Sequence, residues 1–455
     1  MKRREFIKTT GTAVAGAIIF PNISFPKRNP KNVVIIGAGI SGLAAAYKLK
    51  QNGMNATIIE ARNRIGGRIF THTFNQENLT CELGAEWVGA SHTRLIELCK
   101  EFGLELLNHQ FETHLILDNQ YKKAGEWDFT PEWNTKYQAL LNQFNALPPE
   151  SEAKKQYDKL DWWRFLVNAG ISEKDLEIRE LLDSTDFGES IRQVSAYAGI
   201  SEYAESSEKN EMDYHIKEGN NQIIFKLAEA VGSDNIILKT SIEKVEQRND
   251  SVTVYCANGN RYEADNVICT VPTYSLLKIN WQPKLSNDYF DALNELQYSR
   301  IIKISVLFSE RFWKNESLDM ITDTLPHYFF HSTKNQDGKK GILTSYATGD
   351  RAYILSKMKN EEKIREVCKT LKSAFGDVEK YAERAVNYYW GSDDFTKGAY
   401  AIYNKHQWLN VRETLNKNHG RVYFAGEHLA DWQGFMEGAI NSGEDAVEKI
   451  LISLK

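Results

Sequence analysis

Residues 33–60 constrain this chain more than any other stretch. Val33-Val34-Ile35-Ile36 is an unbroken apolar run, the pattern of a strand buried on both faces of a parallel sheet. It ends at Gly37, which opens Gly37-Ala38-Gly39-Ile40-Ser41-Gly42. Residues 41–52 then place Leu43, Ala44, Tyr47 and Leu49 on one helical side, and Gly53 stops the helix. Residues 56–60 predict a second strand ending on Glu60. In such a β-α-β unit the first glycine permits a tight turn. The second lets backbone approach a pyrophosphate, and the third lets helix and strand pack closely. The helix N-terminus offers free N–H groups and partial positive charge to phosphates. Glu60 stands where a carboxylate accepts hydrogen bonds from ribose hydroxyls. The unit predicts a Rossmann-type dinucleotide-binding α/β domain and does not choose among dinucleotides.

Composition narrows the rest. With 455 residues, of which 42% are hydrophobic, the chain can bury a large core in two or three domains. Charged residues make up 26% and the net charge is -5, with no long basic run in the body, so nucleic acid is not an expected partner. The first thirty residues are different: Lys2-Arg3-Arg4-Glu5-Phe6, an apolar stretch over 11–20, then Pro21. This resembles a twin-arginine export signal, and its apolar stretch is shorter than the ~20 residues a membrane-spanning helix needs. The expectation is export to the periplasm by the twin-arginine machinery, without a transmembrane anchor; a basic tail is the alternative. Outside that segment 50 basic residues face 60 acidic ones, a weak attraction for cations. The five cysteines, Cys81, Cys99, Cys256, Cys269 and Cys368, form no C-x-x-C pair, so no metal site is expected. Cys256 and Cys269 fall in strand-like runs and read as buried thiols.

Further on, residues 110–214 are rich in aromatic and charged side chains, with Trp127, Trp133, Trp162 and Trp163 in helix-like patterns. Residues 222–230, 361–375 and 436–454 predict helices. Residues 235–238, 241–247, 251–256, 266–270, 301–308 and 422–425 predict strands, and 328–331 with 342–346 a hairpin around Asp337-Gly338.

Several blocks distribute one likeness over nearly the whole chain. They are Glu60-Ala61-Arg62-Asn63-Arg64-Ile65-Gly66-Gly67-Arg68, Glu82-Leu83-Gly84-Ala85-Glu86-Trp87-Val88-Gly89, Gly219-Asn220-Asn221-Gln222 and Ile302-Lys303-Ile304 with Phe312-Trp313. Trp390, Gly398-Ala399-Tyr400, Phe424-Ala425-Gly426-Glu427 and Gly434-Phe435-Met436-Glu437-Gly438-Ala439 complete the set. Together they resemble the flavin-containing monoamine oxidase family. The resemblance implies a glutathione-reductase-like FAD domain assembled from 31–110, 215–280 and 410–455. An α+β substrate domain would come from 111–214 and 281–409. It leaves room for a homodimer.

The resemblance also implies roles. Gly37, Gly39, Ile40, Ser41, Gly42, Glu60, Ala61 and Arg62 would hold the adenosine and phosphates, with Ile242 touching adenine through its backbone. Gly66, Gly67 and Arg68, and then Gly84, Ala85, Glu86 and Trp87, would run along the cofactor. Trp390 would pack near the flavin, Gly426 and Glu427 would meet the ribityl chain, and Gly434, Phe435 and Met436 would lead a helix toward the pyrimidine edge. Lys303 would hold a water beside the flavin, although strand alternation alone places it on an exposed face. Tyr400 and Phe435 would flank the amine, Phe435 departing from the family's usual tyrosine. Ala399 stands where some relatives carry a flavin-linking cysteine, which implies noncovalent FAD. The implied reaction turns an amine into an imine, then an aldehyde and ammonia, while O2 becomes H2O2.

Rival readings stay open at this point. An L-amino acid oxidase of the same fold needs an arginine for the substrate carboxylate; residues 85–87 offer none, and Arg192 is one candidate elsewhere. Glu86 could instead draw a second ammonium. A nonenzymatic flavin-binding protein and a lipid desaturase are the remaining alternatives.

Overall fold

The computed structural model describes residues 31–454 except 150 and 432, so the export-signal reading of 1–30 lies outside the described residues. The predicted β-α-β unit forms as Asn32–Ile36, Ile40–Gln51 and Asn55–Ile59. Its strands join a five-stranded parallel sheet in the order Val422–Phe424, Asn266–Cys269, Asn32–Ile36, Asn55–Ile59, Ile236–Ile237. The continuous apolar run of the first strand serves two cores, because alternate side chains leave opposite faces. Val33 and Ile35 pack with Leu43, Leu227, Ile440 and Val447 of three helices. Val34 and Ile36 pack with Val245, Val254 and Trp281 of a second, four-stranded sheet.

A seven-stranded sheet forms the other scaffold. Its order is Ala382–Tyr389, Ile301–Phe308, Gly341–Thr348, Tyr328–His331, Leu318–Thr322, Glu112–Leu117, Gln120–Lys122. Ile301–Phe308 is an inner strand, and all eight of its residues are buried. Ile302, Ile304, Val306 and Phe308 pack beneath the helix Asn360–Phe375, against Val367 and Leu371. Ile301 packs on the opposite side with Leu181, Tyr328 and Tyr346. Lys303 shares that side and is only 3% exposed, so the exposed face suggested by alternation is not where it lies. Both faces of this strand are covered, and alternation says which face a residue takes, not whether that face is wet.

Helices of the middle segment gather on Trp162, which is fully buried and donates its indole N–H to Asp183 at 2.7 Å. Trp133, Trp162 and Trp163 lie in helices, as their spacing predicts. Trp127 does not: its segment is irregular, and its indole donates to the Thr113 carbonyl at 2.9 Å. All five cysteines are free and buried. Among the described residues no helix is long and apolar enough to cross a membrane.

The turn between the first strand and helix separates two kinds of glycine. A Cβ on Gly42 would stand 2.1 Å from the Gly37 carbonyl oxygen, whereas one on Gly39 meets nothing within 4 Å. Gly42→Ala is therefore expected to lower the stability of the flavin-free protein by about 1–3 kcal/mol through overpacking. Gly39→Ala should leave it within ~0.5 kcal/mol. Urea denaturation of the two variants checks this; equal losses would contradict it.

Candidate active site

One cavity of about 710 Å³ runs from the glycine turn to the seven-stranded sheet. Every site residue named from the sequence lines it except Gly42, whose place is against the strand.

At the turn, Glu60 is fixed by two backbone donors: Ala38 N–H to Oε2 and Arg62 N–H to Oε1, both 2.8 Å. The Gly66 N–H donates to the Ala38 carbonyl at 2.8 Å and ties the arginine block to the turn. Ser41, in the first turn of the helix, keeps a buried hydroxyl with no hydrogen-bond partner among the described residues, and that side chain lines the cavity. Gly39 leaves open space beside it. An orphaned donor, an open glycine and a helix N-terminus without acidic residues fit a pyrophosphate. Arg62 differs from expectation. Its guanidinium forks onto Asp393 at 2.8 and 2.7 Å and lies over the Phe395 ring, so its hydrogen bonds go to protein. Burial works against the Asp393 charge, but hydrogen bonds from Arg62 and Tyr388 more than offset it and hold the carboxyl well below its usual range.

Midway, Arg68 donates to the Ala399 carbonyl at 2.7 Å and to Glu427 Oε1 at 2.5 Å. Glu427 also accepts from the N–H groups of Ala401 at 3.2 Å and Gly434 at 3.0 Å. The carboxylate thus cross-links three chain segments at the cavity wall. The Trp390 indole donates to the Leu83 carbonyl at 2.8 Å. A Cβ on Gly84 would stand 2.0 Å from the Arg68 carbonyl oxygen, so this position needs glycine for close packing. Among the described residues no cysteine lines the cavity.

At the far end Lys303 donates to Glu86 Oε2 at 2.8 Å and to the Gly84 carbonyl at 2.9 Å. The rings of Phe330, Trp87 and Tyr346 lie 5.4–5.9 Å from its ammonium. Glu86 Oε1 meets His109 Nε2 at 3.3 Å, and the His109 ring lies tilted against His215 at 5.0 Å, which meets Glu82 at 3.3 Å. Burial would raise the Glu86 pKa, but the Lys303 charge and the His109 hydrogen bond take it down to about 2. Burial brings His109 down to about 4, so the imidazole is neutral near pH 7. The Glu86 carboxylate is therefore already neutralised by Lys303, and the idea that it draws a second ammonium loses its support.

Tyr400 meets the Tyr346 hydroxyl at 3.0 Å and donates to the Asp186 carbonyl at 2.8 Å. Its ring lies against Gly434, the residue before Phe435. Phe435 lines the same cavity and packs edge-on to His92 at 5.1 Å. Arg192 is not in the cavity wall; it lies over Trp163 at 3.6 Å.

Sequence reasoning missed the residues that close this end: Tyr328, Tyr346, Arg179, Asp183, Asp186, Glu202 and Asp319 all line it. Their helices and strands were legible, but which side faces the cavity depends on distant packing. Burial raises Asp186 to about 7 and Asp319 to about 6, and Glu202 well above the usual carboxylate range.

The sequence profile of the family described as "Flavin containing amine oxidoreductase" matches residues 40–451. Human amine oxidase [flavin-containing] B is 26% identical over 461 residues, covering 93% of this chain and 86% of that protein. Pig amine oxidase [flavin-containing] A is 26% identical, covering 93% and 85%. Among solved structures, cyclohexylamine oxidase from Brevibacterium oxydans IH-35A superposes with a TM-score of 0.84 at 22% identity, covering 93% of this chain and 99% of that one. A putrescine oxidase bound to putrescine gives 0.82 at 22% identity, with the same coverage. With a profile match over nearly its whole length, this chain belongs to the family of flavin-containing amine oxidoreductases.

Proposed function

We propose that this chain binds FAD noncovalently and oxidises a small primary or secondary amine to an imine, which water hydrolyses to an aldehyde and ammonia (or, from a secondary amine, a primary amine), while O2 is reduced to H2O2. The observation that carries the reading is the single cavity joining the glycine turn to Lys303, Tyr400 and Phe435. When bound, FAD supplies the chemistry, accepting a hydride from the carbon beside nitrogen and passing two electrons to oxygen.

The protein's own groups position and exclude. The Ser41 hydroxyl, the Gly39 backbone and Glu60 would hold phosphates and ribose, with the backbone at Ile242 near the adenine. The 31–110, 215–280 and 410–455 stretches would then be the cofactor side, and 111–214 with 281–409 the substrate side. Tyr400 and Phe435 would wall the reacting amine, guiding the neutral base while excluding water. Lys303 spends two of its three N–H donors on Glu86 and Gly84. The third is left for a water or for oxygen arriving at the flavin. Ala399 in the wall, with no cysteine beside it, supports a noncovalent cofactor.

An L-amino acid needs a free guanidinium for its carboxylate. The three arginines in the wall already pair with acids: Arg62 with Asp393, Arg68 with Glu427 and Arg179 with Asp183. This favours amines. We also infer twin-arginine export to the periplasm, on the strength of Arg3-Arg4 and the apolar stretch after them.

The reading is tested by adding aromatic monoamines, diamines, spermidine and L-amino acids anaerobically and following the flavin absorbance. Amines are expected to bleach it; bleaching by L-amino acids alone would overturn the reading. Lys303→Met should slow reoxidation by O2 roughly 10²-fold, the usual cost of removing one preorganised charge. Stopped-flow mixing of reduced enzyme with oxygen measures this, and an unchanged rate would remove Lys303 from the oxygen step.

A further inference from the structure

The substrate end of the cavity carries more acid than its bases neutralise. Two basic residues stand there, and each has its partner: Lys303 pairs with Glu86 at 2.8 Å and Arg179 with Asp183 at 3.2 Å. Asp186, Glu202 and Asp319 line the same wall and form no ion pair among the described residues. Two of them adjoin the aromatic wall. The Tyr400 hydroxyl donates to the Asp186 carbonyl, and the Asp186 carboxylate accepts from Tyr203 at 2.7 Å and Asn210 at 3.1 Å. Tyr203 follows Glu202 on the helix Ala196–Glu205. The Glu202 carboxylate accepts no hydrogen bond from any described residue, yet it faces the cavity.

A second observation comes from a neutral group. Gln433, only 8% exposed, also lines the cavity, and among the described residues its amide oxygen has no donor. Gln433 and Glu202 share a recess off the main cavity, beside Ser201 and Trp408. A buried carbonyl oxygen without a donor is costly, and the half-buried Glu202 and Asp186 beside it have no cation among the described residues. An ammonium answers both, since it brings positive charge and three N–H donors and accepts nothing.

We propose that the substrate carries a second cationic nitrogen and that Glu202, Asp186 and Gln433 hold it beyond Tyr400, making this enzyme selective for diamines or longer polyamines over monoamines. The inference rests on the amine reading above. Burial first, and then the charges of Asp186, Glu211 and Asp183, raise the Glu202 carboxyl well above the usual carboxylate range. Arg179 is the nearby base and is spoken for by Asp183. An arriving cation offsets the repulsion among these acids, so binding energy is released only by a substrate that brings one.

The test uses the holoenzyme and compares kcat/KM for short α,ω-diaminoalkanes with that for n-alkylamines of equal carbon number. The diamine at its best length is expected to win roughly 10- to 100-fold, as hydrogen bonds between charged groups ordinarily supply. Glu202→Gln and Asp186→Asn should each collapse that ratio toward one. Using the ratio cancels any loss common to both substrates. Alkylamines oxidised as well as or better than diamines would overturn the proposal while leaving the amine reading intact. A flavin bleached by no amine would overturn both.

Discussion

A lysine ammonium held at 3% exposure in an inner strand of a seven-stranded sheet is expensive, because burying an unpaired charge costs several kcal/mol. Here the cost is offset by Glu86, which comes from a segment more than two hundred residues earlier. The pair joins two parts of the chain: Lys303 belongs to the large sheet, Glu86 to the irregular segment 85–87. His109, His215 and Glu82 extend the contact into a buried polar chain that leaves no member isolated. The sheet and the loop are thus tied together at the cavity floor by this pair.

Similar cross-links recur along the cavity. Arg62 reaches Asp393, and Arg68 reaches Glu427 and the carbonyl before Tyr400, each bridging more than three hundred residues. These pairs bind the arginine block of residues 62–68 to the C-terminal half of the chain. They stiffen the cavity walls before any ligand arrives, and that preorganisation is what a positioning site requires. The wall then grades along its length, from backbone N–H groups and an orphaned hydroxyl at the turn, through glycines and paired ions, to aromatic rings and surplus carboxylates.

Much of this was legible in the sequence for physical reasons. The first strand, helix and second strand show in an unbroken apolar run, a helical period and punctuating glycines, because a doubly covered parallel sheet needs that pattern. Gly42 was legible because helix and strand meet there backbone to backbone. Lys303 was not: alternation placed it opposite Ile302 and Ile304, which holds, but nothing local reveals that the other face is covered by Glu86 and three aromatic rings. Arg62 looked like a ligand group because its partner Asp393 lies far away in the chain. Asp186 and Glu202 sit on helices whose inward side is set by packing around Trp162, a contact that no short window contains.

One noncovalent FAD per chain is what the proposed chemistry of the cavity rests on. The most direct measurement is to purify the protein, record its visible absorbance, precipitate it with acid and quantify the flavin released. The expected result is one FAD per chain, all of it recovered in the supernatant. Protein without flavin, or flavin that stays with the precipitate, would contradict it.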